Sequence, residues 1–91
     1  MLPDDVRVAL ERDPRVLGAG VVGVDDERLG AVPVAVVELK PDAHATPDQL
    51  VDESSKVLSR YEVPVEVRIL DALPRTPSGK VDLPAVRELW T

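Results

Sequence analysis

Early in the chain, Val6, Ala9 and Leu10 recur three and four residues apart. That spacing puts them on one stripe of a helix, which Asp4 or Asp5 can cap. Asp13-Pro14 ends this helix, because a residue before proline is pushed out of the helical region. From 15 to 24 the helical period vanishes and valine dominates, which predicts a strand. A polar turn over 25–30 leads into a second apolar run over 31–40, and two such runs joined by a short loop predict an antiparallel pair. Pro33 cannot donate to a strand ladder, so a strand start, a bulge or an edge is expected there.

The clearest helix start is Thr46-Pro47-Asp48-Gln49, which supplies an N-cap, a proline at the first helical position and a glutamine at the third. Leu50, Ser54, Val57, Leu58 and Tyr61 follow at helical spacing. Val63-Pro64 breaks away, and Val65, Val67 and Ile69 then alternate with Glu66 and Arg68 in a third strand. Residues 73–80, with two prolines and a glycine, form a loop, after which Asp82 caps a last short helix with Leu83, Val86, Leu89 and Trp90 inward. The expected fold is α+β in a single domain over 1–91. It is a small three-stranded sheet with flanking helices, in the order α-β-β-α-β-loop-α.

Composition sharpens this picture. Tyr61 and Trp90 are the only aromatics among 91 residues, so the core must be built from Val, Leu and Ala. Without cysteine there is no disulfide framework, thiolate zinc site or thiol nucleophile, which suits a cytoplasmic location. The first residues show no basic stretch followed by an apolar run, so no signal peptide is expected. No stretch approaches the ~20 apolar residues of a membrane span. A net charge of −6 argues against nucleic acid as a partner. The charge is uneven: residues 1–63 carry all of the excess, whereas 64–91 hold four acids and four bases. An anionic ligand is expected to meet the last third of the chain first.

Several motif-like features fail on context. Gly18-Ala19-Gly20-Val21-Val22-Gly23 matches G-x-G-x-x-G, but the glycines lie inside a Val-rich run with a polar turn after it. A dinucleotide fingerprint needs a strand before and a helix after, so small strand residues making room for a packed neighbour are expected instead. Ser78-Gly79-Lys80 resembles the end of a P-loop, yet Pro74 stands where the first glycine belongs and Val81 where a hydroxyl belongs. His44 is the sole histidine and has no triad or metal-site companions, so it is expected in a solvated loop, and no metal site is expected. The pairs Asp25-Asp26 and Asp52-Glu53 are expected on solvated surfaces.

The remaining candidate is the stretch 73–82. Two prolines stiffen the approach, Gly79 permits an unusual backbone turn, and Lys80 follows at once. This holds an ammonium at the end of a defined loop, where functional groups concentrate.

Pro74-Arg75-Thr76-Pro77-Ser78-Gly79-Lys80 resembles the final P-x-x-x-x-G-K motif of adenylate-forming enzymes. Leu10-Glu11-Arg12-Asp13-Pro14-Arg15-Val16 is similar to the family's L-x-x-H-P-x-V. The run from Val21 through Gly30 to Ala35 resembles the following strand pair of acyl-CoA synthetases, and Tyr61-Glu62-Val63-Pro64 resembles Y-K-x-P. Glu62 stands in place of the usual lysine, and Leu83 where many relatives have arginine. The four pieces in this order resemble the small C-terminal domain of an acyl-CoA synthetase, a fatty-acid–CoA ligase.

The resemblance implies an α+β domain that works with a large N-terminal adenylating domain and hinge, neither of them within these 91 residues. ATP and coenzyme A are the implied substrates of the full enzyme, bound at the interdomain cleft, with magnesium held outside this domain. Lys80 is the implied adenylation lysine and Gly79 its partner in nucleotide binding, with Pro74, Arg75, Thr76, Pro77 and Ser78 completing the lysine loop. The domain is expected to rotate between adenylation and thioester formation, and to be inactive by itself. Two other readings remain open: the matching subdomain of a peptide-synthetase adenylation module, and a stand-alone binding or regulatory module of the same fold.

Overall fold

The computed structural model describes residues 3–28 and 30–90. Its elements are α1 (Pro3–Glu11), β1 (Val16–Asp26), β2 (Gly30–Leu39), α2 (Pro47–Ser55), β3 (Glu66–Leu70) and α3 (Leu83–Glu88). The predicted α+β order is therefore the observed one. The strands lie in the order β1-β2-β3. β1 and β2 are antiparallel, paired from Val16 opposite Leu39 to Asp26 opposite Gly30, with a register shift between Val16 and Gly18. β3 joins parallel to β2, with Glu66 opposite Val34 and Leu70 opposite Glu38. A parallel neighbour requires a crossover, and α2 supplies it.

Helices cover both faces of the sheet. Ala19, Val21, Ala35, Val37 and Val67 point to one side, where Val6 and Leu10 of α1 and Leu50 of α2 close over them. Val22, Val34 and Val36 point to the other, against Leu73 and Val86. A strand buried on both faces loses the apolar–polar alternation, and this accounts for the unbroken valine runs. Each such side chain contributes roughly 1.5–3 kcal/mol by leaving water, so an aliphatic core of this size can hold a small domain.

Local signals set most element ends. Thr46 Oγ1 accepts the Gln49 N–H at 3.2 Å, and Gln49 Oε1 accepts the Thr46 N–H at 3.0 Å, a complete capping box. Asp82 accepts from the Ala85 N–H and caps α3. Asp4 and Asp5 lie within the first turn of α1 rather than before it, where their charges still oppose the positive end of the helix.

Four details differ from expectation. α2 stops at Ser55, so Val57 and Tyr61, expected to continue its helical spacing, lie beyond it and are 57% and 80% exposed. The hydroxyls of Ser54 and Ser55 bond back to the Val51 and Asp52 carbonyls, competing for the acceptors that would continue the helix. Pro33 is buried within the central strand, opposite Gly23. It is tolerated because β3 begins only opposite Val34, and the Pro33 carbonyl still accepts the Val65 N–H at 2.9 Å. Val65 thus precedes β3 and is exposed. In α3 only Val86 is fully buried, while Leu83 and Leu89 are exposed.

Trp90 is fixed by charge as much as by apolar packing. Its Nε1 donates to Glu66, and the Arg68 guanidinium lies 4.3 Å from its ring centroid. Arg68 also bonds Glu66 and the Leu89 carbonyl. The Arg68 hydrogen bond, then that from Trp90, holds the Glu66 carboxyl below the ordinary glutamate range.

Candidate functional site

The stretch after β3 enters the sheet through Leu73, whose side chain is buried and whose N–H donates to Glu38 Oε1 at 3.1 Å. The chain then forms a hairpin. Arg75 pairs antiparallel with Val81, and the Asp82 N–H bonds the Pro74 carbonyl at 2.8 Å. Nearer the tip, the Thr76 N–H bonds the Lys80 carbonyl at 2.8 Å and the Gly79 N–H bonds the Thr76 carbonyl at 2.9 Å. Pro77, Ser78 and Gly79 form the three-residue loop. Its last position is left-handed, with Gly79 at φ +90°. Hairpins of this length place glycine there, because a Cβ would be strained. The Thr76 and Ser78 hydroxyls are bonded at 2.9 Å, and Arg75 Nη1 donates to the Gly79 carbonyl at 3.1 Å. Every residue from Pro74 to Lys80 thus belongs to one closed, internally bonded structure.

This hairpin rests on β1, and the glycines of that strand make room for it. A Cβ on Gly20 would stand 2.9 Å from Val81 Cγ1, and one on Gly18 would stand 3.4 Å from Leu73 Cδ1. Gly18 and Gly20 of the G-x-G-x-x-G look-alike thus seat a packed neighbour, as strand context predicted, whereas a Cβ on Gly23 would meet nothing within 4 Å.

Lys80 lies immediately after the turn and is exposed. Among the described residues, no carboxylate forms an ion pair with its ammonium. Lys80 lines an open groove of about 570 Å³ together with Arg75, Val81 and Leu83 on one wall and Asp4, Arg7 and Glu11 of α1 on the other. The nearby acids are already engaged: Arg7 pairs with Glu11 at 2.6 Å and with Asp4 at 3.6 Å. Glu11 also accepts the Ala19 N–H at 3.2 Å. An ammonium with no ion-pair partner among the described residues, beside carboxylates already paired, can attract an anion.

Another concavity, between α1 and α2, is lined by residues that include Arg12, Arg15, Lys56, Asp13 and Glu53. Two of its three cations are neutralised in place: Arg15 by Asp13 at 2.9 Å and Lys56 by Glu53 at 3.0 Å. His44, Asp52 and Glu53 are exposed, on a loop and on α2. Among the described residues, no group of three His, Cys, Asp or Glu side chains could hold a metal ion, and no helix is long and apolar enough to cross a membrane. Glu38 escaped sequence reasoning, although a carboxylate interrupting an apolar run was a visible signal.

Known proteins share both sequence and fold. The family model for the AMP-binding enzyme C-terminal domain matches residues 6–80. The chain is 42% identical over 86 residues to a 3-[(3aS,4S,7aS)-7a-methyl-1,5-dioxo-octahydro-1H-inden-4-yl]propanoyl:CoA ligase of Rhodococcus jostii, covering 94% of this chain and 17% of that protein. It is 40% identical over 80 residues to a 3-oxocholest-4-en-26-oate–CoA ligase of Rhodococcus rhodochrous, covering 88% of this chain and 14% of that protein. Its fold is similar to an acyl-CoA synthetase of Brucella canis, with a TM-score of 0.85 at 36% identity over 96% of this chain and 17% of the other. It is also similar to an amide bond synthetase of Marinactinospora thermotolerans, with a TM-score of 0.92 at 32% identity over 100% of this chain and 19% of the other. The chain therefore spans less than a fifth of the length of these relatives. With the lysine hairpin, the strand pair and the overall fold all matched, this chain belongs to the AMP-binding enzyme C-terminal domain family.

Proposed function

We propose that this chain is the mobile C-terminal domain of an acyl-CoA synthetase and that Lys80 serves its adenylation step. In that step a carboxylate oxygen attacks the α-phosphorus of ATP, an O–P bond forms, and pyrophosphate leaves. Two anions must approach: at ~4 Å and an effective dielectric near 20, two unit charges repel by roughly 4 kcal/mol. A cation set between them offsets that repulsion and stabilises the charge developing on the phosphoryl oxygens. Lysine suits the task, being a compact charge on a long stem that can reach from a hairpin into a neighbouring cleft.

The observation that carries this reading is the exposed Lys80, whose ammonium has no ion-pair partner among the described residues, at the end of an internally bonded hairpin. Gly79 gives the turn its shape and lets the backbone come close to the nucleotide, while Pro74, Arg75, Thr76, Pro77 and Ser78 hold the support. In the second half-reaction the thiolate of coenzyme A attacks the acyl carbon and displaces AMP. The domain rotates between the two steps and withdraws Lys80. The large N-terminal domain supplies the acyl pocket, most of the ATP site and the magnesium ligands, so these 91 residues alone are inactive. The cytoplasm, where ATP and coenzyme A are both available, is the compartment this reading assigns.

CoA-ligase names among the relatives favour coenzyme A as acceptor over the carrier thiol of a peptide synthetase. Their acids range from a ring-bearing propanoate and a sterol acid to succinylbenzoate and sulfoacetate, so the acid is selected outside this domain. Adding the chain to an adenylating large domain that lacks its own C-terminal domain tests the proposal. Restored acyl-adenylate formation, followed as pyrophosphate release, is the expected result. Binding without any restoration would favour a non-catalytic module.

A further inference from the structure

Lys80 acts from a hairpin tip, and a tip holds a charge in place only as well as the hairpin is tied to the sheet. Beside the packing of Leu73 and Val81, two polar ties meet at one carboxylate. Glu38, near the end of the central strand, is largely buried, with a side chain 19% exposed. One of its oxygens, Oε1, accepts the Leu73 N–H at 3.1 Å and lies 3.9 Å from Arg75 Nη2. The other end of the same guanidinium, Nη1, donates to the Gly79 carbonyl at 3.1 Å. That carbonyl belongs to the peptide bond leading into Lys80. The guanidinium lies over Gly18, where a Cβ would stand in ordinary contact, 3.5 Å from Nη2.

We infer that Glu38 and Arg75 are positioning residues for Lys80, a relay from the central strand through a planar guanidinium to the peptide bond before the lysine. Arginine suits a relay because one end of its charged fork faces the Glu38 carboxylate as an ion pair at 3.9 Å while the other donates to the Gly79 carbonyl at 3.1 Å. Both partners come from this domain, so the relay works without Arg75 touching nucleotide. A displacement of about 1 Å at a reacting group can cost on the order of a hundredfold in rate, so this support decides how well Lys80 performs. The inference rests on the adenylation reading of Lys80.

The test takes two readouts. In the 91-residue chain, Glu38→Ala and Arg75→Ala are each expected to increase backbone motion at Gly79 and Lys80, read by nuclear spin relaxation, while the β1–β2 amides stay unchanged. In the complete ligase, each is expected to lower kcat for adenylation by about tenfold or more with KM for ATP unchanged, because only the transition state uses the placed charge. The double variant should lose no more than the worse single one, since both break one relay. Glu38→Gln, which keeps the acceptor for the Leu73 N–H but removes the charge that faces Arg75, should fall between Glu38→Ala and wild type. A Gln variant as slow as Glu38→Ala, with the Leu73 amide unchanged, would still assign the loss to the charge pair. A raised KM for ATP in Arg75→Ala beside a silent Glu38→Ala would overturn the relay and make Arg75 a nucleotide contact. Losses that multiply, or an unchanged hairpin, would overturn it as well. If Lys80→Ala itself leaves adenylation intact, the function proposed for Lys80 fails instead, and the relaxation data still judge the relay.

Discussion

Val81 Cγ1 sits 2.9 Å from the point where a Cβ on Gly20 would lie, and Val36 and Val86 crowd the same point at 3.4 and 3.5 Å. Val81 pairs with Arg75 across the lysine hairpin, so the glycine of one strand decides how closely that hairpin docks. Gly20→Ala should therefore push the hairpin off β1. Valine is stiff at its branch and cannot swing aside, so a loss of about 1–3 kcal/mol is expected, as for overpacked cores. Urea unfolding of the 91-residue chain measures it. Gly18→Ala, whose new methyl would meet its neighbours at 3.4 and 3.5 Å, should cost clearly less.

Gly79 poses the opposite problem. A Cβ there meets nothing within 4 Å, but the backbone is at φ +90°. Gly79→Ala should thus cost about 1–3 kcal/mol through backbone strain alone. Gly79→Asn, a residue that tolerates left-handed backbone better, should cost less. Denaturant midpoints of the two variants test the ordering, and equal midpoints would show that the hairpin does not need this conformation.

Asp13 predicts a pH dependence. Its side-chain hydrogen bond with Arg15, at 2.9 Å, holds the carboxyl below the ordinary aspartate value near ~4, against a smaller opposing effect of burial. A carboxyl with a depressed folded-state value stabilises the fold above its unfolded value, and that stability is lost as pH falls through the folded value. Wild type should therefore exceed Asp13→Asn in stability at neutral pH, and the gap should close below about pH 4. Thermal unfolding of both proteins across pH 2.5–7 follows it. A gap independent of pH would mean that the carboxylate charge is not involved.

Much of this was legible in the sequence because it depends on local chemistry. The capping box at Thr46 and Gln49 formed as read, as did the Asp82 cap, and the two valine runs paired antiparallel. The spacing of Val57 and Tyr61 carries the expected helix past its observed end at Ser55, because the back-bonding of Ser54 and Ser55 is a matter of conformation that spacing does not carry. Pro33 looked like an edge residue. Only the late start of β3 opposite Val34 reveals why the central strand accepts it. Lys80 and its loop stood out through Pro77 and Gly79, but the link from Glu38 joins residues 35 or more positions apart and exists only in three dimensions.

The most direct measurement is the Lys80→Ala variant of the complete ligase, with the two half-reactions assayed separately. Adenylate formation should slow by about a hundredfold or more, the scale of losing one preorganised electrostatic donor. Thioester formation from supplied acyl-adenylate should stay close to wild type. An equal loss in both half-reactions, or none in the first, would contradict the role given to Lys80.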